Sequence, residues 1–336
     1  MTDLKPMPTT AAPIDPFGRA ITYLRLSVTD RCNLRCRYCI DEATRFLPRA
    51  ELLSREELET AARACVALGI RKIRVTGGEP LLRRGVLGLL GRLGALPGLD
   101  ELALTTNGTE LPRYAEALRA AGVQRVNISL DSLDPARFRR ITGNGRLERV
   151  LEGVEAARGA GFERLKLNAV ADAQRRGELL ALVDYAAARD LDISFIEPMP
   201  LGPAGREAGG APSAEAVRRA IAAAYPLAPT AEGTGGPSRY YRIRGSGTRI
   251  GLIAPRSEGF CAACNRLRLT AAGALLPCLG HAEAVDLRAV LRGAPGDTEA
   301  LHAAIRTAVA RKPPRHDFSA PAAAPAPIHP MSLVGG

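Results

Sequence analysis

The stretch SREELETAARACVALGIRKIRVTGGEP, residues 54–80, contains the unit from which most of the chain is built. Ser54 and Glu57 form a capping-box pattern, apolar residues then recur at helical spacing, and Gly69 stops the run. RKIRV at 71–75 follows at once and reads as a strand that ends in a glycine turn. The alternation extends in both directions. ITYLRLSV at 21–28 is a β-rich run before the helix. After the quoted stretch come a helix around 84–95, a strand at 101–105, a helix at 111–121 and a strand at 123–130. A helix at 146–161, a strand at 164–170, a helix at 177–189 and a strand at 193–199 complete the series. Six strands alternating with helices predict an α/β fold with a parallel sheet and functional loops at the strands' carboxyl ends. Six βα units are too few for a closed eight-stranded barrel, so a partial, open barrel of TIM type is expected.

The rhythm breaks after Met199 in LGPAGREAGGAPS, 201–213, and two strand candidates follow, RYYRIRG at 239–245 and TRIGLIA at 248–254. The chain therefore divides into an N-terminal extension at 1–20, the barrel at 21–200, a smaller C-terminal region at 201–312 and a tail at 313–336. The tail is rich in Pro and Ala and is expected to be mobile. A chain of 336 residues, 46% of them hydrophobic, can bury a sizeable core. It has no apolar run long enough to span a bilayer, and its first residues lack a basic segment followed by an apolar one. A cytoplasmic, reducing location is expected, which disfavours structural disulfides. The 46 Lys and Arg against 35 Asp and Glu leave a formal charge of +11, which attracts anions, although Arg-rich usage also follows from genome composition. With no Trp, seven Phe and seven Tyr, surfaces for stacking bases are scarce, and nucleic acid is not an expected partner.

Six of the seven cysteines fall into two groups of three: Cys32, Cys36 and Cys39 after the first strand, then Cys261, Cys264 and Cys278 in the second region. Cys65, inside the helix pattern, reads as a small buried hydrophobe. Structural zinc wants four ligands, and only His281, three residues after Cys278, stands where it could complete a Cys3His site. Three soft thiolates also suit a 4Fe-4S cube with three irons anchored and the fourth open.

The spacing in CNLRCRYC, 32–39, resembles the radical S-adenosylmethionine (SAM) superfamily, and TGGEP at 76–80 resembles that superfamily's glycine-rich turn. A narrower similarity covers nearly the whole chain. YLRLSVTDRCNLRCRYC, KIRVTGGEPLLRR, LTTNG, VNISLDSLD, LKLNAV, FIEPMPLG, FCAACNRLRLTAAGALLPCL and the terminal GG look like the GTP 3′,8-cyclase family, which opens molybdenum-cofactor biosynthesis. Ile40 and Asp41 depart from the Met-Pro or Leu-Pro that commonly follows the third cysteine there, which affects loop shape and not the ligand set.

The resemblance implies two 4Fe-4S clusters, one on Cys32, Cys36 and Cys39 and an auxiliary one on Cys261, Cys264 and Cys278. It implies SAM against Tyr38, Gly78, Ser129 and Met199, and GTP against Arg25, Lys72, Arg74, Thr105, Lys166, Arg266, Leu267 and Arg268. Gly335 and Gly336 would reach the active site and contribute to activity. The implied reaction converts GTP to (8S)-3′,8-cyclo-7,8-dihydroguanosine 5′-triphosphate through a 5′-deoxyadenosyl radical. A reducing electron donor and a downstream cyclic pyranopterin monophosphate synthase are the implied partners, and a homodimer is left open. Triphosphate recognition agrees with the residue types, since Arg forks and Lys point charges are the usual means of holding it. Another radical SAM enzyme with an auxiliary cluster, such as a peptide modifier, would share the first cysteines but has no need of Arg266 and Arg268. A nucleic-acid-binding module with cysteine-held metal leaves the βα alternation unexplained.

Overall fold

The computed structural model describes residues 11–40, 44–171, 176–199, 212–316, 318 and 330–335. The six expected strands are present as β1 (Tyr23–Ser27), β2 (Lys72–Thr76), β3 (Glu101–Thr106), β4 (Arg125–Ser129), β5 (Arg164–Val170) and β6 (Asp192–Ile196). The helices between them are α1 (Arg55–Ala67), α2 (Val86–Gly94), α3 (Leu111–Ala120), α4 (Pro135–Thr142), α5 (Leu147–Gly159) and α6 (Arg176–Ala187). The capping box of α1 forms as read: Ser54 accepts from the Glu57 amide while the Glu57 carboxylate accepts from the Ser54 amide. Gly69 follows with φ +100°, and a Cβ there would come within 2.7 Å of Ala12 Cα, so the helix stop also admits the N-terminal extension. The sequence reading passed over α4. Its signal was Asp134-Pro135, with Asp134 capping the Arg137 amide and Pro135 in the first turn.

After residue 200 come α7 (Ala214–Ala222), β7 (Leu227–Pro229), β8 (Arg239–Ile243), β9 (Arg249–Ile253), β10 (Arg266–Leu269), β11 (Ala274–Leu276) and β12 (Val285–Asp286). They are followed by α8 (Leu287–Gly293), α9 (Thr298–Ala310) and α10 (Met331–Val334). These later strands do not build a sheet of their own. β9 pairs parallel with β6 and β10 pairs parallel with β1, giving one open sheet of twelve strands ordered β12-β11-β10-β1-β2-β3-β4-β5-β6-β9-β8-β7. The barrel is thus partial, as expected, but both of its edges are extended by the C-terminal region. Among the described residues no helix is long and apolar enough to cross a membrane.

Period-two alternation divides the faces of this sheet. Leu24, Leu26, Ile73, Val75, Leu102, Leu104, Val126 and Ile128 point toward the helices and are buried in the main core, joined there by Cys65. Each such side chain contributes roughly 1.5–3 kcal/mol by leaving water. The opposite, inner face carries the alternate residues, among them Arg25, Arg74, Lys166, Arg266 and Arg268.

The expectation of a mobile tail over 313–336 is corrected at its end. Leu333 and Val334 in α10 are buried, Leu333 packs with Leu52 and Ala271, and the Ala271 amide donates to the Leu333 carbonyl at 3.3 Å. The few apolar residues of the tail are concentrated there, which is why that piece docks. Gly336 lies outside the described residues.

Close backbone approach also sets where α5 sits. A Cβ on Gly153 would stand 2.1 Å from the Gly108 carbonyl oxygen, a fixed atom of the turn after β3. Gly153→Ala is therefore expected to destabilise the protein by about 1–3 kcal/mol, read from the midpoint of denaturant unfolding. An unchanged midpoint would mean that α5 slides freely.

Candidate active site

The loop after β1 carries Cys32, Cys36 and Cys39 at the strands' carboxyl end. Its backbone is held from below by the glycine turn after β2: the Gly78 amide donates to Thr29 O at 2.8 Å and the Glu79 amide to Arg31 O at 2.7 Å. No side chain fits between these segments, since a Cβ at Gly77 would lie 2.7 Å from Thr29 O and one at Gly78 2.4 Å from Arg31 O. The TDRC and GGEP motifs are thus two halves of one backbone contact.

Glu79 continues this scaffold. Its buried carboxylate accepts from the Leu81 amide (3.1 Å), the Asn107 amide (2.7 Å) and the Thr106 hydroxyl (2.9 Å). Burial pushes it up to about 7 against the pull of those donors. Asn107 in turn places its Nδ2 3.7 Å from Cys32 Sγ and 2.8 Å from Asn33 Oδ1. On the other side, the Tyr38 hydroxyl donates to Asp131 Oδ2 at 2.7 Å, while Asp131 Oδ1 accepts from the Val170 amide at 2.8 Å. Burial pushes both the phenol and the carboxyl up. Asn107 and Asp131 were not singled out in the sequence, because Asn and Asp at strand ends are ordinary turn residues.

These elements line a partly open cavity at the strand ends. Cys32, Cys36, Cys39, Tyr38, Gly78, Ser129 and Met199 all line it, so the first cysteines and the residues expected around SAM share one space. Thr105 lines it too, as does Met331 of α10. Thr76 Oγ1, Thr105 Oγ1 and Asn168 Oδ1 are buried on its wall without a hydrogen-bond partner, which suits a polar ligand. The three thiols are free, and burial raises all of them, Cys39 to about 12. A soft, thiol-only donor set on one short loop fits an iron–sulfur cluster, which these three cysteines would hold.

Deeper on the inner face lie the cations. Register places Arg268, Arg25 and Arg74 side by side on β10, β1 and β2, with Arg266, Tyr23 and Lys72 in the adjacent row. Arg74 donates to the Tyr23 hydroxyl (2.7 Å) and to Leu104 O (3.1 Å). Burial alone would raise the Tyr23 phenol, but Arg74, Arg25 and Lys72 outweigh it and bring it to about 7. Burial brings Arg25 down to about 10, with Arg74 and Arg266 adding to it. Burial also carries Arg268 well down, Arg25 and Arg266 adding to it. Arg25 and Arg268 both donate to the Gly335 carbonyl, at 3.3 and 3.0 Å. Gly335 has φ +78°, and a Cβ there would strike Thr76 Oγ1 at 1.9 Å. Lys72 pairs with Glu101 at 2.7 Å, and Lys166 reaches the Tyr240 hydroxyl at 3.3 Å. One expected residue faces elsewhere: Leu267 sits between Arg266 and Arg268 on β10, so its side chain is buried in the helix-side core and only its backbone is available.

Cys261 and Cys264 flank a short turn at Cys261–Ala263, and Cys278 follows β11. Burial would raise Cys264, yet Arg266 and Lys312 override it and bring the thiol to about 7, whereas burial raises Cys278. Arg266 places Nη2 3.7 Å from Cys264 Sγ. His281, the fourth ligand a zinc site would use, has Nε2 3.0 Å from Arg315 O. This second thiol-only set also fits an iron–sulfur cluster.

Comparison with known proteins follows these divisions. Residues 26–172 match the radical SAM superfamily and residues 191–318 match Molybdenum Cofactor Synthesis C. A GTP 3′,8-cyclase 1 of Pseudomonas aeruginosa is 57% identical over 310 residues, covering 91% of this chain and 94% of that one. The GTP 3′,8-cyclase 2 of the same organism is 53% identical over 326 residues, covering 96% and 98%. The GTP 3′,8-cyclase of Ectopseudomonas mendocina is 51% identical over 327 residues with the same coverage. Streptococcus suis SuiB bound to S-adenosylmethionine superposes with a TM-score of 0.61 at 15% identity, covering 85% of this chain and 68% of SuiB, a likeness of fold. With identity of this order over more than nine-tenths of its length, the chain belongs to the GTP 3′,8-cyclase family of radical SAM enzymes.

Proposed function

We propose that this chain converts GTP to (8S)-3′,8-cyclo-7,8-dihydroguanosine 5′-triphosphate, the first step of molybdenum-cofactor biosynthesis. The observation that carries the reading is the row Arg268, Arg25, Arg74 on three adjacent strands. Like charges in register repel, and the repulsion is relieved when a polyanion such as a triphosphate enters. A peptide substrate would not need that row.

Cys32, Cys36 and Cys39 would hold the first 4Fe-4S cluster, with Tyr38, Gly78, Ser129 and Met199 around SAM. The chemistry obtained there is reductive cleavage of SAM to a 5′-deoxyadenosyl radical able to take hydrogen from the ribose. Asn107 and Asp131 act through others, the first by fixing the Cys32 loop and the second by orienting Tyr38. Cys261, Cys264 and Cys278 would hold the auxiliary cluster, beside which Arg266 and Arg268 bind GTP together with Arg25, Lys72, Arg74, Thr105 and Lys166. In this reading 21–200 forms the SAM side and 201–312 the auxiliary side of one shared sheet. The Gly335 carbonyl aims Arg25 and Arg268, and Gly336, outside the described residues, is assigned to the active site on the family resemblance alone. The proposal includes an external electron donor and a cyclic pyranopterin monophosphate synthase that consumes the product, and it leaves room for a homodimer.

Anaerobically prepared protein is expected to hold about eight irons, four per cluster. Replacing Cys32, Cys36 and Cys39 by Ala should leave about half of them and abolish SAM cleavage; zinc in place of iron, or one cluster in the intact chain, contradicts the ligand assignment. Lys166→Ala and Arg266→Ala should each weaken GTP binding by about 1.5–3 kcal/mol, roughly tenfold or more, with SAM binding retained. Equal weakening of both ligands in calorimetric titrations would sink the separation of the two ends. Gly335→Ala, whose Cβ meets Thr76, should displace the end of the tail, preserve both clusters and slow GTP cyclisation severely. Full turnover by that variant would show that the tail contact is incidental.

A further inference from the structure

Of the 46 Lys and Arg in this chain only four are lysine: Lys5, Lys72, Lys166 and Lys312. Lys72 and Lys166 stand on the inner face of the sheet, whereas Lys312 lies just beyond the end of α9 and is 3% exposed. Its ammonium donates to Arg266 O and to Pro277 O, both at 2.7 Å. Arg266 is two residues beyond Cys264, and Pro277 directly precedes Cys278. β10 and β11 are antiparallel neighbours, paired at Arg268↔Leu276, so both carbonyls lie at the open end of that hairpin. One ammonium therefore closes the hairpin between the segments that carry the second group of thiols.

Its electrostatic setting differs from that of its neighbour Arg19. Arg19 donates to Cys261 O (2.8 Å), Pro314 O (3.0 Å) and Pro313 O (2.6 Å), but its charge is matched by Asp15. Lys312 instead donates to two neutral carbonyls, one on each of the segments that carry Cys264 and Cys278. At the first cysteine group the Leu34 amide and the Asn107 side-chain amide approach Cys32 Sγ, and the cation, Arg35, is exposed where it donates to Cys32 O at 2.7 Å. A compact ammonium meets both carbonyls from a single nitrogen, which a guanidinium fork does only with two. That accounts for a lysine here in a chain that otherwise uses arginine almost throughout.

We propose that Lys312 is a positioning residue for the auxiliary cluster: it sets the spacing of the Cys264 and Cys278 segments, and its charge offsets that of the thiolates beside it. A positive charge at this place stabilises the more negative, reduced cluster and raises its potential relative to the first. The inference rests on Cys261, Cys264 and Cys278 being the ligands, so a wild-type chain holding one cluster overturns that assignment and this one with it.

The test uses full-length, anaerobically reconstituted protein with two clusters, comparing wild type, Lys312→Met and Lys312→Arg by iron content, EPR-monitored redox titration and the change in EPR signal on adding GTP. In Lys312→Met the auxiliary cluster's potential should move negative, and its GTP response should need roughly tenfold more GTP. The first cluster's potential and its response to SAM should stay as in wild type. Lys312→Arg, which restores the charge, should return the potential toward the wild-type value. An unchanged auxiliary potential in Lys312→Met, or equal shifts of both clusters, overturns the proposal. Should Lys312→Met fail to assemble the second cluster, recovery of that cluster's iron in Lys312→Arg supports it, and no recovery overturns it.

Discussion

The inner face of the sheet must hold several guanidinium groups next to one another without letting them push the strands apart. A closed eight-stranded barrel fills its interior with layers of branched apolar side chains; this one carries Arg25, Arg74, Arg266 and Arg268 there instead. The strands tolerate this because the opposite face is continuously apolar and because hydrogen-bond acceptors occupy the donors. The Tyr23 hydroxyl and Leu104 O take those of Arg74, and the Gly335 carbonyl takes those of Arg25 and Arg268. The two carbonyls leave the charge in place, and the Tyr23 phenol, brought to about 7, offsets only part of it. The face stays electropositive yet ordered, which is the condition for binding a polyanion without first reorganising.

The chain ends take part in that order. α10 seats Leu333 on Leu52 and Ala271, which delivers Gly335 to the two arginines, and only a residue without Cβ can lie against Thr76 there. At the other terminus Arg19 ties the N-terminal extension to Cys261 O and to the backbone at Pro313 and Pro314. Both ends thereby converge on the side where β10 joins β1.

What could be read without coordinates was local. The capping box at Ser54 and Glu57, the stop at Gly69, the period-two strands and the two cysteine groups each lie within a short span, where chain geometry alone relates the residues. Even α4 had a local signal in Asp134-Pro135. The residues passed over, Asn107, Asp131 and Lys312, are unremarkable in type and gain meaning from partners on other elements: Cys32, Tyr38, Arg266 and Pro277.

The sequence by itself determined the βα repeat, the open barrel, the thiol-only ligand sets and, through resemblance, the reaction family, because periodicity and spacing are properties of neighbouring residues. Tertiary structure alone decided that β9 and β10 would extend the two edges of one sheet. It also decided that Leu267 would face the core between two inward arginines, and that the end of the tail would dock instead of drifting. The physical reason is that strand pairing across long separations depends on which edge is left with unmatched N–H and C=O groups and on which apolar surface lacks cover. Both are fixed only once the preceding units have packed.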